Sequence, residues 1–173
     1  MMISKPELSE YNSFYKGYIN LVLDKNILDY LKNQLSDMLD LFKGLPSDKI
    51  DYSYAERKWS IKQLFRHMID AERVFAYRIL ALSRLDTTSL PGFDENEYAD
   101  QSNDSKNTMD ELIEEFEFLR KSNISMIDNL DPTVLTFVGT VNGSPTSCRA
   151  LIYILAGHIA HHLNIIHERY LTE

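Results

Sequence analysis

The chain is poor in residues that cross-link, break or bend a backbone. Among 173 residues there is one cysteine, Cys148, with 6 glycines and 5 prolines. A single thiol excludes an intramolecular disulfide and a thiolate-rich zinc site. So few turn residues argue against a loop-rich or repetitive chain. No apolar run approaches the roughly 18 residues of a membrane span. No N-terminal stretch couples a basic start to an apolar core, so no signal peptide is expected either. The expected location is cytoplasmic, with no membrane partner. Cations are in the minority: 18 Lys and Arg against 26 Asp and Glu leave a net charge of −8. That balance disfavours nucleic acid, whose phosphates need clustered Lys and Arg. It is compatible with a local basic pocket. The remaining composition, 44% hydrophobic and 25% charged, is that of a globular protein. The length fits one domain, residues 1–173, with a sizeable core.

Four long stretches carry helical periodicity. The first runs from Asp24, as N-cap, through Leu28, Leu31, Leu35, Met38 and Phe42 to Gly44, with apolar spacings of three and four. The second begins at Ser60, where Ser60-Ile61-Lys62-Gln63 has the form of a capping box, and continues to about Arg84. The third starts near Thr108, with Asp110 and Glu111 in its first turn, and ends around Asn129. Acids there suit the helix dipole. The fourth spans about Ser147 to Tyr170. Residues 87–107 form a polar, irregular connection, too long for a simple link and therefore a crossover, a lid, or both. Leu135–Val138 and the Asn142-Gly143 pair form either a short hairpin or an irregular loop. The N-terminal segment with Tyr11, Phe14, Tyr15 and Tyr18 reads as a short helix packed on the bundle.

The histidines carry the chemistry. Of five, His158, His161, His162 and His167 fall within ten residues, and His67 lies far upstream. On a wheel of 100° per residue, Leu151, Ile152, Leu155, Ile159, Leu163 and Ile166 define an apolar sector. His162 lies about 30° and His158 about 70° from its centre, with His161 and His167 more than about 100° away. Two inward imidazoles on adjacent turns are costly to bury unless something binds both. A divalent metal does so with neutral imidazoles, and a third His from a partner helix would complete the site. The alternative is a pair of hydrogen-bonded core histidines. His161 and His167 read as surface residues, and His67 as a boundary residue on the flank of the second helix. Glu72 is a carboxylate inside an apolar stripe. It either orients a metal-bound histidine through its second ring nitrogen or pairs with an arginine such as Arg149. Cys148, near a helix N-terminus, has either a lowered thiol pKa or a packed structural role. No nucleophile elbow, Ser-His-Asp order or phosphate-binding glycine loop is present.

Taken together, Trp59–Leu64 leading to His67, the run Asp70–Arg78, Leu90–Glu95, and the closing Ala156–Leu163 followed by His167–Tyr170 resemble the DinB-like (DinB/YfiT) superfamily of metalloenzymes, from about Tyr18 to Leu171. The resemblance implies an all-α four-helix bundle with a long crossover between helices two and three. It implies a divalent metal, Zn or Ni, held by His67, His158 and His162, which resolves what periodicity leaves open at His67. One departure is Ile159, where relatives often carry Glu. The activity implied is a thiol-dependent S-transferase of the bacillithiol or mycothiol type, acting on small electrophiles. A metal-dependent hydrolase is the alternative, and a non-catalytic metal- or ligand-binding stress protein a third. The expected partners are a small-molecule substrate, a low-molecular-weight thiol and a second copy of the chain in a homodimer. The last also rests on the aromatics Tyr11, Phe14 and Tyr15.

Overall fold

The computed structural model describes residues 2–102 and 106–172. Four helices form the bundle: α2 (Ile27–Lys43), α4 (Ile61–Ser83), α6 (Met109–Asp128) and α7 (Cys148–Ile165). Short helices α1 (Lys16–Val22), α3 (Ser47–Ile50) and α5 (Glu95–Gln101) and one antiparallel hairpin, β1 (Val138–Val141) and β2 (Ser144–Ser147), complete the fold. α2 and α4 each pack against both α6 and α7, so α6 and α7 face each other diagonally. α1 lies along α7 on the outside.

The helix starts are set by side-chain caps. Ser60 and Thr108 each close a full capping box, with Gln63 and Glu111 bonding back to the cap backbone. Such a box satisfies two orphan N–H donors at once. Ser147 accepts from the Ala150 N–H and opens α7. α2 starts at Ile27, two residues later than the Asp24 cap implies; Asp24 lies in the turn that follows α1 and pairs with Lys5 instead.

α7 is apolar nearly all round, and the packing explains why. Its inner sides meet α2 and α4, and its outer side is roofed by α1. That roof needs Gly157. A Cβ there would lie 2.2 Å from the Tyr18 carbonyl oxygen.

Two apolar clusters fill the bundle. A layer of buried polar groups joins its helices. Arg120 of α6 makes a two-pronged pair with Glu72 of α4, Nε to Oε1 at 2.8 Å and Nη2 to Oε2 at 2.9 Å. Its Nη1 donates to Gln34 Oε1 of α2 at 2.8 Å, and Gln34 Nε2 donates to the Ala156 carbonyl of α7 at 3.0 Å. Asn123 adds a donor to Glu72 at 3.0 Å. Buried ion pairs survive desolvation only when their remaining groups are bonded like this. The partner of Glu72 is therefore Arg120 and not Arg149, which binds Glu10 in the N-terminal segment.

The hairpin is present, with Asn142 (φ 49°) and Gly143 (φ 71°) in left-handed conformation, as a two-residue turn between right-twisted strands requires. Residues 135 and 136, read with the first strand, instead belong to a 3-10 turn, Pro132–Thr136. The crossover is not irregular throughout. Leu90 bridges to the hairpin, donating to Thr140 O and accepting from Asn142 N, both at 2.9 Å. Asp94 then caps α5 by accepting from Asn96 and Glu97. Residues 103–105 of that connection, and the first and last residues of the expected domain, lie outside the described residues. Among those described, no helix is long and apolar enough to cross a membrane.

Candidate metal centre

His67 projects from α4, and His158 and His162 project from successive turns of α7. The i, i+4 spacing puts the latter two on one face, and α7 lies along α4 so that this face meets His67. All three present Nε2 to a common point. The Nε2–Nε2 separations are 3.1 Å for His67–His158, 3.2 Å for His67–His162 and 3.0 Å for His158–His162. His67, which the helical wheel leaves at a boundary, is only 9% exposed. The Trp59 ring lies 4.9 Å from its own, held in part by Tyr170, whose hydroxyl donates to the Trp59 carbonyl at 2.8 Å.

Burial is the main reason that all three imidazoles resist protonation. It lowers the pKa of His67 to about 4 and that of His162 to about 3, and it holds His158 well below its ordinary value. Neighbouring histidines push His158 and His162 further in the same direction. At neutral pH the cluster is three neutral imidazoles, the form that binds metals.

The donor set fits a single first-row divalent ion. Nitrogens bonded to one ion at about 2.0–2.1 Å, at angles between octahedral and tetrahedral, lie about 2.9–3.4 Å apart. The observed triangle falls in that range. Three lone pairs aimed at one point repel unless a cation or protons intervene. Among the described residues, His67, His158 and His162 are the group with metal-ligating geometry. His162 Nδ1 is buried without a hydrogen-bond partner, so its side of the ring is not oriented by a protein acceptor. Glu72 does not orient any of the three, since its carboxylate is taken by Arg120 and Asn123.

The remaining candidates separate cleanly from the cluster. His167 is exposed, and His161 is half-buried against the Tyr18 ring at 5.0 Å. Cys148 is buried, and burial raises its pKa to about 12. It is a packed thiol, and its place at a helix N-terminus does not offset desolvation. Tyr11 is 8% exposed, unlike Phe14 at 71%. The N-terminal aromatics are therefore not a uniformly exposed set.

A cavity of about 370 Å³ opens onto the three histidines. Its walls include Tyr15 and Tyr18 from the N-terminal segment, Phe75 and Arg78 from α4, and Phe93 and Glu95 from the crossover. The crossover thus shapes the site, as its length suggests. Sequence reasoning missed Arg78. It lies three positions after Phe75, the helical spacing that marks a shared face.

Comparison with known proteins bears on this arrangement. Residues 30–166 match the model of the DinB superfamily. The chain belongs to the DinB superfamily. Among solved structures it is similar to YfiT from Bacillus subtilis, with a TM-score of 0.68, 14% sequence identity and coverage of 95% of this chain and 90% of that one. That protein is described as a probable metal-dependent hydrolase with an unusual four-helix bundle topology. At such low identity the likeness is one of fold. No curated protein matches the chain in sequence.

Proposed function

We propose that this DinB-superfamily chain is a metal-dependent enzyme in which His67, His158 and His162 hold one divalent ion, Zn or Ni, and that it hydrolyses a small molecule. The observation that carries the reading is the triangle of buried, neutral Nε2 donors at 3.0–3.2 Å at the base of an open cavity. Three protein ligands leave coordination positions for reactants, which is the pattern of catalytic sites. A divalent ion there supplies Lewis acidity and lowers the pKa of a coordinated water or thiol. The protein's own part is to keep the imidazoles neutral by burial, to fix them on two packed helices, and to surround the reactants with Tyr18, Trp59, Phe75 and Phe93.

The description of YfiT supports hydrolysis. Thiol transfer differs only in the nucleophile, and the family resemblance supports it. The chain's own thiol is unsuited to that role, because Cys148 is buried with its pKa raised to about 12. A transferred thiol must come from outside. A homodimer is part of the same reading, supported by the exposed apolar side chains Phe14, Tyr77 and Phe118.

Elemental analysis of the purified protein is expected to give about one divalent metal per chain, and His67→Ala, His158→Ala and His162→Ala each to remove it. Unchanged metal content in all three variants overturns the assignment. Turnover of ester, amide and electrophile panels by the metal-loaded protein, with and without low-molecular-weight thiols, separates the two nucleophiles. Product that forms only with added thiol favours transfer over hydrolysis.

A further inference from the structure

Arg78 is the unusual charge in the cavity. It is 3% exposed, yet no carboxylate pairs with it among the described residues. Every other strongly buried or half-buried arginine that borders a carboxylate is neutralised: Arg120 by Glu72, Arg149 by Glu10 and Arg66 by Glu115. Arg78 instead donates Nη2 to the Pro91 carbonyl at 2.7 Å, has the phenols of Tyr15 and Tyr98 as further polar neighbours, and lies near the rings of Phe75 (5.8 Å) and Phe93 (5.9 Å). Neutral partners and ring faces steady a guanidinium but do not cancel its charge. Taking an unpaired cation out of water is costly, and burial is the largest influence lowering its pKa. A buried, uncompensated guanidinium lining a ligand cavity is a charge waiting for an anion.

The position is informative too. His67 and Arg78 are 11 residues apart on α4. Eleven residues make about three turns, placing the two within about 20° on one face and about 16 Å apart along the axis. The ring of Phe75 lies between them in sequence and lines the same cavity. The other charged side chain in the wall, Glu95, acts electrostatically on His67 and Tyr18, and so belongs to the histidine end. A cation at one end, the histidine centre at the other and aromatic walls between suit an anion with an apolar body.

We infer that Arg78 is the substrate-binding residue for a carboxylate, and that the substrate is a small organic acid whose apolar body spans the cavity from Arg78 to the three-histidine centre. The inference rests on the metal-dependent reading only for what happens at the histidine end. A planar guanidinium suits a carboxylate because two parallel N–H···O bonds can form.

Trp59 is the chain's single tryptophan and lines the cavity, so its fluorescence reports binding directly. The probes are 4-phenylbutyrate and its neutral counterpart 4-phenylbutyramide, titrated into zinc-loaded protein. The wild type is expected to bind the acid at least about tenfold more tightly than the amide, the scale of one charge-assisted bidentate contact. Arg78→Met is expected to bind the two alike while holding the amide as the wild type does. Equal affinities in the wild type overturn the proposal, and so does a preference that survives in Arg78→Met. Should circular dichroism show that Arg78→Met does not fold, Arg78→Lys serves. It keeps the charge and loses the fork, so the preference is expected to fall at least about threefold, and an unchanged preference again overturns the idea. His162→Ala distinguishes the two readings. Retained zinc in that variant counts against the metal site alone and leaves the Arg78 comparison standing. Loss of the acid's preference there, with Arg78 intact, assigns the carboxylate to the metal and sinks the role of Arg78.

Discussion

Histidines of one helix divide by a few tens of degrees. His158 and His162 meet His67 at 3.1 and 3.2 Å, while His161, one position before His162, packs its ring at a tilt against Tyr18 and His167 is exposed. His161→Ala and His167→Ala are therefore expected to retain about one metal per chain by elemental analysis, with only local effects on stability. Metal loss in either variant as complete as in His162→Ala shows that the phase of α7 is misassigned. Helical phase makes this division legible in the sequence, because it depends only on 100° per residue. The partners of Glu72 and Arg149 were not legible. An acidic residue in an apolar stripe announces that a cation is near. Which arginine answers depends on which helices become neighbours, and α6 rather than the N-terminus of α7 brings its guanidinium to Glu72.

α1 owes its position to Gly157. The helix lies so close to α7 that any side chain at 157 meets the Tyr18 backbone, with the carbonyl oxygen 2.2 Å from an added Cβ. Backbone cannot rotate away as a side chain can, so Gly157→Ala must displace α1. Overpacking of this kind costs about 1–3 kcal/mol, which chemical denaturation measures. Tyr18 lies 5.7 Å from the His158 ring, so the same variant is also expected to weaken ligand binding at the cavity. A variant as stable as wild type shows that α1 does not hold this position in solution.

The crossover is the other element that forms the site without supplying ligands to it. It is anchored at Leu90 to the hairpin, passes Gly92 against the Asn142 side chain, and presents Phe93 to the cavity. Phe93→Ala is expected to weaken 4-phenylbutyramide binding severalfold, with metal content unchanged. Since Phe93 is half-buried, the stability loss is expected to stay near 1 kcal/mol, below that of a fully buried Phe. A large stability loss with unchanged binding makes Phe93 a core residue and the crossover a connection only. The long connection was visible in the sequence through its length. Its bridge to the hairpin was not, because Leu90 and the Val141 edge are far apart in sequence and meet only on folding; α5, though capped locally by Asp94, is too short at seven residues to show an apolar period.

At the scale of the whole molecule the bundle is closed on its inside but not uniformly polar on its outside. Phe14 is 71%, Phe118 64% and Tyr77 57% exposed. Exposed apolar side chains of this size favour association. Sedimentation equilibrium at micromolar concentration is expected to give a homodimer mass. A monomer mass removes the dimer and leaves the metal centre unaffected, since all three histidines belong to one chain.

Local physics decided a good deal in advance. The four long helices follow from apolar spacings of three and four, the starts of α4, α6 and α7 from the capping residues Ser60, Thr108 and Ser147, and the hairpin turn from Asn142-Gly143. Each of these depends on residues within a turn or two of one another, so the linear order contains them. The inward pair His158 and His162 belongs to the same class. His67 does not: its wheel position is a boundary, and family resemblance alone singled it out before folding. Its burial, its Nε2 triangle with α7 and the cavity with Arg78 at the far end exist only because α4 lies along α7 under the roof of α1 and the crossover. Desolvation and charge compensation act between groups distant in sequence, and packing alone sets those distances.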